Sequence, residues 1–159
     1  MTGARIELQL DTGAASVALA GLAQQLDADG RQQLLGQIGE FALRSTRDRA
    51  ALQIAPDGTP WSPLSPRYAR RKERLRPGLP MLMFDNHMLG DQLAWQLDGT
   101  DAVLMGTSAP YGARQQRGGG GIPARVWLGL SELDQEGVAK RVVAFLRQGL
   151  NRGAPETPL

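Results

Sequence analysis

The chain has 159 residues, of which 42% are hydrophobic, 21% charged and 5% aromatic, a composition that suits one soluble domain with an aliphatic core and not a disordered chain. Its 18 Lys and Arg against 16 Asp and Glu leave a formal net charge of +2, so an isoelectric point near 9.5 does not imply a diffuse polyanion-binding surface. Cysteine is absent and His87 is the single histidine, which excludes disulfides, thiolate nucleophiles and multi-histidine metal sites.

Met1 to Leu10 carries no basic segment followed by a long apolar run, and no stretch approaches the ~18 apolar residues of a membrane span. Synthesis in the cytosol with no membrane partner is expected. Arg5 to Leu10 alternates polar and apolar residues, the period-two pattern of a strand with one buried face. Beyond Asp11-Thr12-Gly13, an alanine-rich segment sets Val17, Leu19, Leu22 and Leu26 toward one side of a first helix. Asp11 or Thr12 can cap that helix, which should stop near Asp29-Gly30.

A second, stronger helix is predicted over residues 31–49, with Leu34, Leu35, Ile38, Phe41, Ala42 and Ser45 on one face. Its Gly36 and Gly39 each cost up to ~1 kcal/mol relative to alanine, so a close contact with a neighbouring helix or sheet is expected there. Pro56 to Pro60 is a dense turn. Ser65 caps a short basic helix that starts at Pro66 and runs to Leu75, and Pro77 and Pro80 forbid its continuation, leaving a loop over 76–86.

Leu93, Trp95 and Leu97 alternate with polar or small residues, and Asp98-Gly99 separates them from Ala102 to Thr107, which predicts a hairpin around 91–107. Ala109-Pro110-Tyr111 starts a helical turn. A second loop, 117–124, contains Gly118 to Gly121 and is expected to be mobile. Ser131 with Asp134 forms an acidic variant of the capping box that opens a C-terminal helix over 132–150, with Val138, Val142, Phe145 and Leu146 inward and Lys140, Arg141 and Arg147 outward. Residues 151–159 read as a disordered tail. The fold class is α+β: one domain over 1–150, with the hairpin and the N-terminal strand in a small antiparallel sheet packed against two or three helices, among them 31–49 and 132–150.

No constellation carries catalysis. His87 sits in a turn between the proline-rich loop and the hairpin, with no nucleophile elbow around any serine. The glycine run is followed by no Lys-Ser or Lys-Thr and lacks a strand-to-helix context, so it is no phosphate loop. Asp98 and Asp101 flank a turn, where Asp is favoured for backbone capping. No cofactor and no enzyme activity are expected. The most unusual feature is local: Arg67, Arg70, Arg71, Lys72, Arg74 and Arg76 place six positive charges within ten residues. A protein interface, a solvated face and a phosphate-binding surface all fit that helix. Trp61, Trp95 and Trp127 read as buried in core or interface.

Four stretches resemble the phage virion morphogenesis family, which includes the Mu-like G protein and tail-completion proteins. Pro56-Asp57-Gly58-Thr59-Pro60-Trp61-Ser62-Pro63-Leu64-Ser65 with Lys72 is similar to that family's glycine turn, tryptophan, leucine and downstream lysine. Met83-Phe84-Asp85-Asn86-His87-Met88-Leu89 resembles its leader to the hairpin, with His87 where relatives tend to have Gly. Val103 to Gly106 and Tyr111-Gly112-Ala113-Arg114-Gln115-Gln116-Arg117-Gly118 resemble its strand, tyrosine and His-Gln-x-Gly element, with Gln115 in place of His. Ile122-Pro123-Ala124-Arg125-Val126-Trp127-Leu128-Gly129-Leu130-Ser131 is close to its Pro-Ala-Arg-x-Phe-Leu-Gly segment, with Trp127 in place of Phe. The resemblance covers about Leu34 to Leu150.

It implies a structural subunit of the virion at the head-tail junction, a neck or tail-completion ring assembled in the bacterial host cytoplasm from a phage or prophage gene. A homo-oligomeric ring, by default a hexamer, is expected, beside connector or neck proteins and tail-terminator or tail-tube proteins, with non-specific contact to DNA in the lumen as a further option. Candidates for the assembly interface are Trp61, Arg70, Arg71, Lys72, Arg74, Tyr111, Arg125 and Trp127. The alternative from another class is a small DNA-binding protein using the basic helix 67–76.

Overall fold

Asp27 divides the first two helices. Its carboxylate accepts a hydrogen bond from the Gly30 amide at 2.8 Å, the arrangement of an N-cap, so α1 (Gly13–Gln25) ends early and α2 (Ala28–Leu52) starts early. The expected boundary at Asp29-Gly30 is therefore corrected: both residues lie in the first turn of α2. The structure, a computed structural model, describes residues 13–83 and 87–152. The N-terminal strand, the caps Asp11 and Thr12 and the tail from 153 onward fall outside the described residues. Residues 151 and 152, expected in that tail, close the last helix.

The inward stripe of α1 is also shifted. Ala18, Gly21, Leu22 and Gln25, spaced as one helical face, are the residues turned inward, whereas Val17, Leu19 and Leu26 are exposed. Helix α1 lies close along the last helix, where Gly149 leaves room for Gln25: a Cβ on Gly149 would come within 2.8 Å of it. In α2 the expected face holds: Leu34, Leu35, Ile38, Phe41, Ala42 and Ser45 are all buried or half-buried.

After α2 the chain turns through Gln53 in the left-handed region, φ 58°, and Trp61 N donates back to Gln53 O at 2.8 Å. Helix α3 (Pro66–Leu75) follows, with Pro66 in its first turn and Ser65 Oγ accepting from Tyr68 N at 3.4 Å. A single π-helical turn, His87–Asp91, leads into the hairpin. Strands β1 (Leu93–Asp98) and β2 (Ala102–Thr107) pair antiparallel, with Leu93 opposite Thr107 and Asp98 opposite Ala102. Gly99 turns the hairpin with φ 66°. Helix α4 (Gly112–Arg117) and helix α5 (Glu132–Arg152) complete the fold. The capping box at the start of α5 forms as read: Asp134 N donates to Ser131 Oγ at 3.1 Å and Ser131 N to Asp134 Oδ2 at 2.8 Å.

Helix α2 is the hub, touching both strands, the π turn, α1 and α5. Gly39 is what lets the hairpin seat on it. A Cβ there would stand 2.5 Å from Trp95 Cδ2, so the indole lies on bare backbone and its Nε1 donates to Glu40 Oε1 at 2.9 Å. On α5, Val138, Val142, Phe145 and Leu146 face inward as expected. Arg141 does not face outward: its guanidinium stacks 3.7 Å from the centroid of the Phe41 ring, a cation-π contact that draws the aliphatic stem inward. The main core cluster joins Ala50, Ala55, Trp61, Met88, Leu89, Leu93, Ala109 and Trp127.

Candidate assembly surface

The side chain of Arg125 ties together Gln115, 10 residues before it, and the proline-rich segment at Ser62, 63 residues before it. Its Nε donates to Ser62 O at 2.8 Å, one terminal nitrogen donates to Pro63 O at 3.0 Å, and the other donates to Gln115 Oε1 at 3.3 Å. Its backbone amide donates to Gln115 O at 2.7 Å. A planar fork of donors is needed to tie a proline-rich segment to a helix in this way. Burial pushes the Arg125 pKa below the usual guanidinium value, and the group still stays protonated at neutral pH.

Gln116 works on the other side of α4. Its Oε1 accepts from Trp127 N at 2.9 Å and Leu128 N at 3.0 Å, and its Nε2 donates to Leu128 O at 3.0 Å. Trp127 Nε1 in turn donates to Gly112 O at 3.1 Å, and Trp61 Nε1 to Val126 O at 2.9 Å. The glycine run, expected as a mobile segment, is a series of hydrogen-bonded turns: Gly118 N donates to Arg114 O at 2.8 Å and Gly119 N to Ile122 O at 2.9 Å. Gly118 has φ 75° and a Cβ there would lie 2.8 Å from Ala124 N, so glycine is required on both counts.

Between α3, α4 and this turn lies a groove of about 540 Å³. Leu64, Tyr68, Tyr111 and Ile122 are among its walls, Lys72 and Arg125 also line it, and among the described residues no Asp or Glu does. Lys72 is buried and its Nζ donates to Leu79 O, which closes the proline loop back onto α3. Beside the groove, Arg67, Arg70, Arg71 and Arg74 form an exposed basic strip around Tyr68.

The eight candidate residues thus separate by depth. Arg70, Arg71 and Arg74 are exposed on α3, and Tyr111, 43% exposed, stands at the groove. Trp61, Lys72, Arg125 and Trp127 are buried, each 6% exposed or less. Both tryptophans pack in the main core cluster, and their ring N–H groups find backbone acceptors. Lys72 and Arg125, though buried, line the groove. Gln115, Gln116, Leu64 and Ile122 were not singled out by the sequence; the nearest signal was the place of Gln115 in the Tyr-to-Gly element.

A second buried polar set locks α5 to α2. Arg49 pairs with Asp134 and donates to Ser45 Oγ at 2.7 Å and Gly129 O at 2.7 Å. Ser45 Oγ donates to Asp134 as well. Burial alone would raise the pKa of Asp134, but hydrogen bonds from Ser45 and Ser131 and the charge of Arg49 outweigh it, and the carboxyl titrates below its ordinary value. Arg49 Nε is buried without a partner. Among the described residues no three His, Asp or Glu side chains gather as a metal site requires, and no helix is long and apolar enough to cross a membrane.

The sequence model of the family described as phage virion morphogenesis matches residues 10–147. The tail completion protein S of Escherichia phage P2 is 24% identical over 140 residues, a span that covers 82% of this chain and 93% of that protein. No solved structure matches the chain.

Proposed function

The chain belongs to the phage virion morphogenesis family, whose role is structural, and from that membership we propose that it is a non-enzymatic subunit of the head-tail junction, a neck or tail-completion ring, needed to finish tails and join them to heads. The observation that carries this reading is the convergence of three of the resembling stretches on one surface. Residues 61–72, 111–118 and 122–125 build the groove through Arg125, Lys72 and Gln115. The similarity to a tail completion protein along 82% of the chain supports the same role. A homo-oligomeric ring of about six copies suits a position between a connector and a tail, where closed cyclic symmetry is the rule.

The exposed strip Arg67, Arg70, Arg71 and Arg74 serves as the contact to an adjacent connector, terminator or tube protein or to DNA passing through the lumen. Combined Arg70→Glu, Arg71→Glu and Arg74→Glu substitution is expected to leave the melting temperature within a few degrees, because solvated surface charges contribute only ~0–1 kcal/mol each. Infectious particle yield in a complementation assay is expected to fall at least about tenfold, as ~1.4 kcal/mol of lost contact energy suffices for that. Full yield from the triple variant, with ring assembly also intact, would remove the basic strip from the assembly surface. A DNA titration of the same variant separates the two contacts, since phosphate binding weakens steeply with salt.

A further inference from the structure

Among the described residues the groove holds a charge imbalance: its cations face no carboxylate. Lys72 and Arg125, each 6% exposed or less, line it, and among the described residues neither has an acidic neighbour in the lining or forms an ion pair. Their recorded acceptors are neutral: the carbonyls of Leu79, Ser62 and Pro63 and the amide of Gln115. Lysine has three N–H donors and arginine five, so both keep donors beyond these bonds. Two shielded cations in a mostly apolar groove fit an acidic side chain with apolar neighbours, because such a ligand supplies the missing charge and covers Leu64, Tyr68, Tyr111 and Ile122 together.

The same chain presents a segment of that chemistry. Glu132, at the start of α5, is exposed and pairs with no cation among the described residues. Leu130 and Leu133 flank it at 44% and 77% exposure, and Leu133 is the most exposed of the large apolar side chains among the described residues. The capping box and the Arg49–Asp134 pair fix this corner rigidly, so its presentation costs little ordering entropy.

We propose that Glu132, with Leu130 and Leu133, docks into the Lys72–Arg125 groove of a second copy of this chain, and that this head-to-tail contact is the repeating interface of the ring. Two different patches meet, so the contact is heterologous and propagates from subunit to subunit until a ring closes. The inference rests on the ring reading above and supplies its interface.

Two variants and their mixture test it by light scattering. Gln115→Glu places a carboxylate where an oxygen already lies 3.3 Å from an Arg125 terminal nitrogen, which neutralises the groove from within while the thermal melt shows an intact fold. Glu132→Gln with Leu133→Ser disables the plug on an exposed corner. Wild type is expected to form a closed ring, and each variant alone is expected to self-associate at least about tenfold more weakly. The equimolar mixture retains one working groove and one working plug, and is expected to stop at a heterodimer. If either variant keeps the wild-type ring, or if both are monomeric and the mixture stays monomeric, Glu132 and the groove are not partners. The ring itself stands in both cases, and binding of the groove to DNA or to another virion protein becomes the reading. A wild-type chain that is monomeric at every concentration overturns the ring and its interface together.

Discussion

Asp134→Ala is expected to destabilise the folded chain by about 3–5 kcal/mol at neutral pH, the usual result of stripping one partner from a buried ion pair. Arg49 would remain behind with its guanidinium buried, its Nε already without a partner, and only Ser45, Thr46 and Gly129 oxygens to solvate it. For a chain of this size each kcal/mol moves the melting temperature by about 2–4 °C, so calorimetry should register a fall on the order of 10 °C. Asp134→Ala combined with Arg49→Met should recover part of the loss, because the second change removes the stranded charge. A single variant that melts like wild type would show that the pair does not hold α5 to α2. The acid limb follows from the same carboxyl. Its folded pKa lies below the ordinary value, so its contribution is complete above the unfolded pKa of ~3.9 and disappears as pH falls through the lower, folded value. In Asp134→Asn the acid limb of stability should flatten.

Trp127→Ala is expected to cost a comparable ~3–5 kcal/mol, the range for emptying a large aromatic from a core. The indole is 4% exposed in the main cluster, its Nε1 donates to Gly112 O at 3.1 Å, and a Cβ on Gly112 would lie 3.7 Å from its Cζ2. The variant therefore separates core from interface. A core residue lowers the melting temperature of the isolated chain, whereas an interface residue leaves the isolated chain intact and impairs assembly alone. Thermal melts of dilute protein decide between them, and an unchanged melt would return Trp127 to the interface.

Much of this arrangement was legible in the sequence because local signals and tertiary packing agreed. The face of α2, the Asp-Gly hairpin, the Ser65-Pro66 start of α3 and the Ser131/Asp134 box each rest on short-range chemistry that the fold keeps. What escaped was set by distant partners. The inward stripe of α1 is set by α5 lying close against it, and periodicity of large apolar residues cannot register a contact in which Gly149 of α5 meets Leu22 and Gln25. Arg141 is drawn inward by Phe41 from another helix, and Arg49 is buried by an aspartate 85 residues away. The groove was half legible. Tyr111, Lys72 and Arg125 were candidates, yet nothing in their spacing says that Arg125 would fork onto Ser62, Pro63 and Gln115. Trp61 and Trp127 lie in the main core cluster of the chain, as the reading of buried tryptophans allowed.

The proposed role of this chain is to complete the tail and join it to the head. Electron microscopy of particles assembled in host cells from a phage genome lacking this gene tests it most directly. The account predicts filled heads and separate tails with unfinished ends, restored to joined virions when the chain is supplied in trans. Complete, infectious virions made in its absence would contradict it.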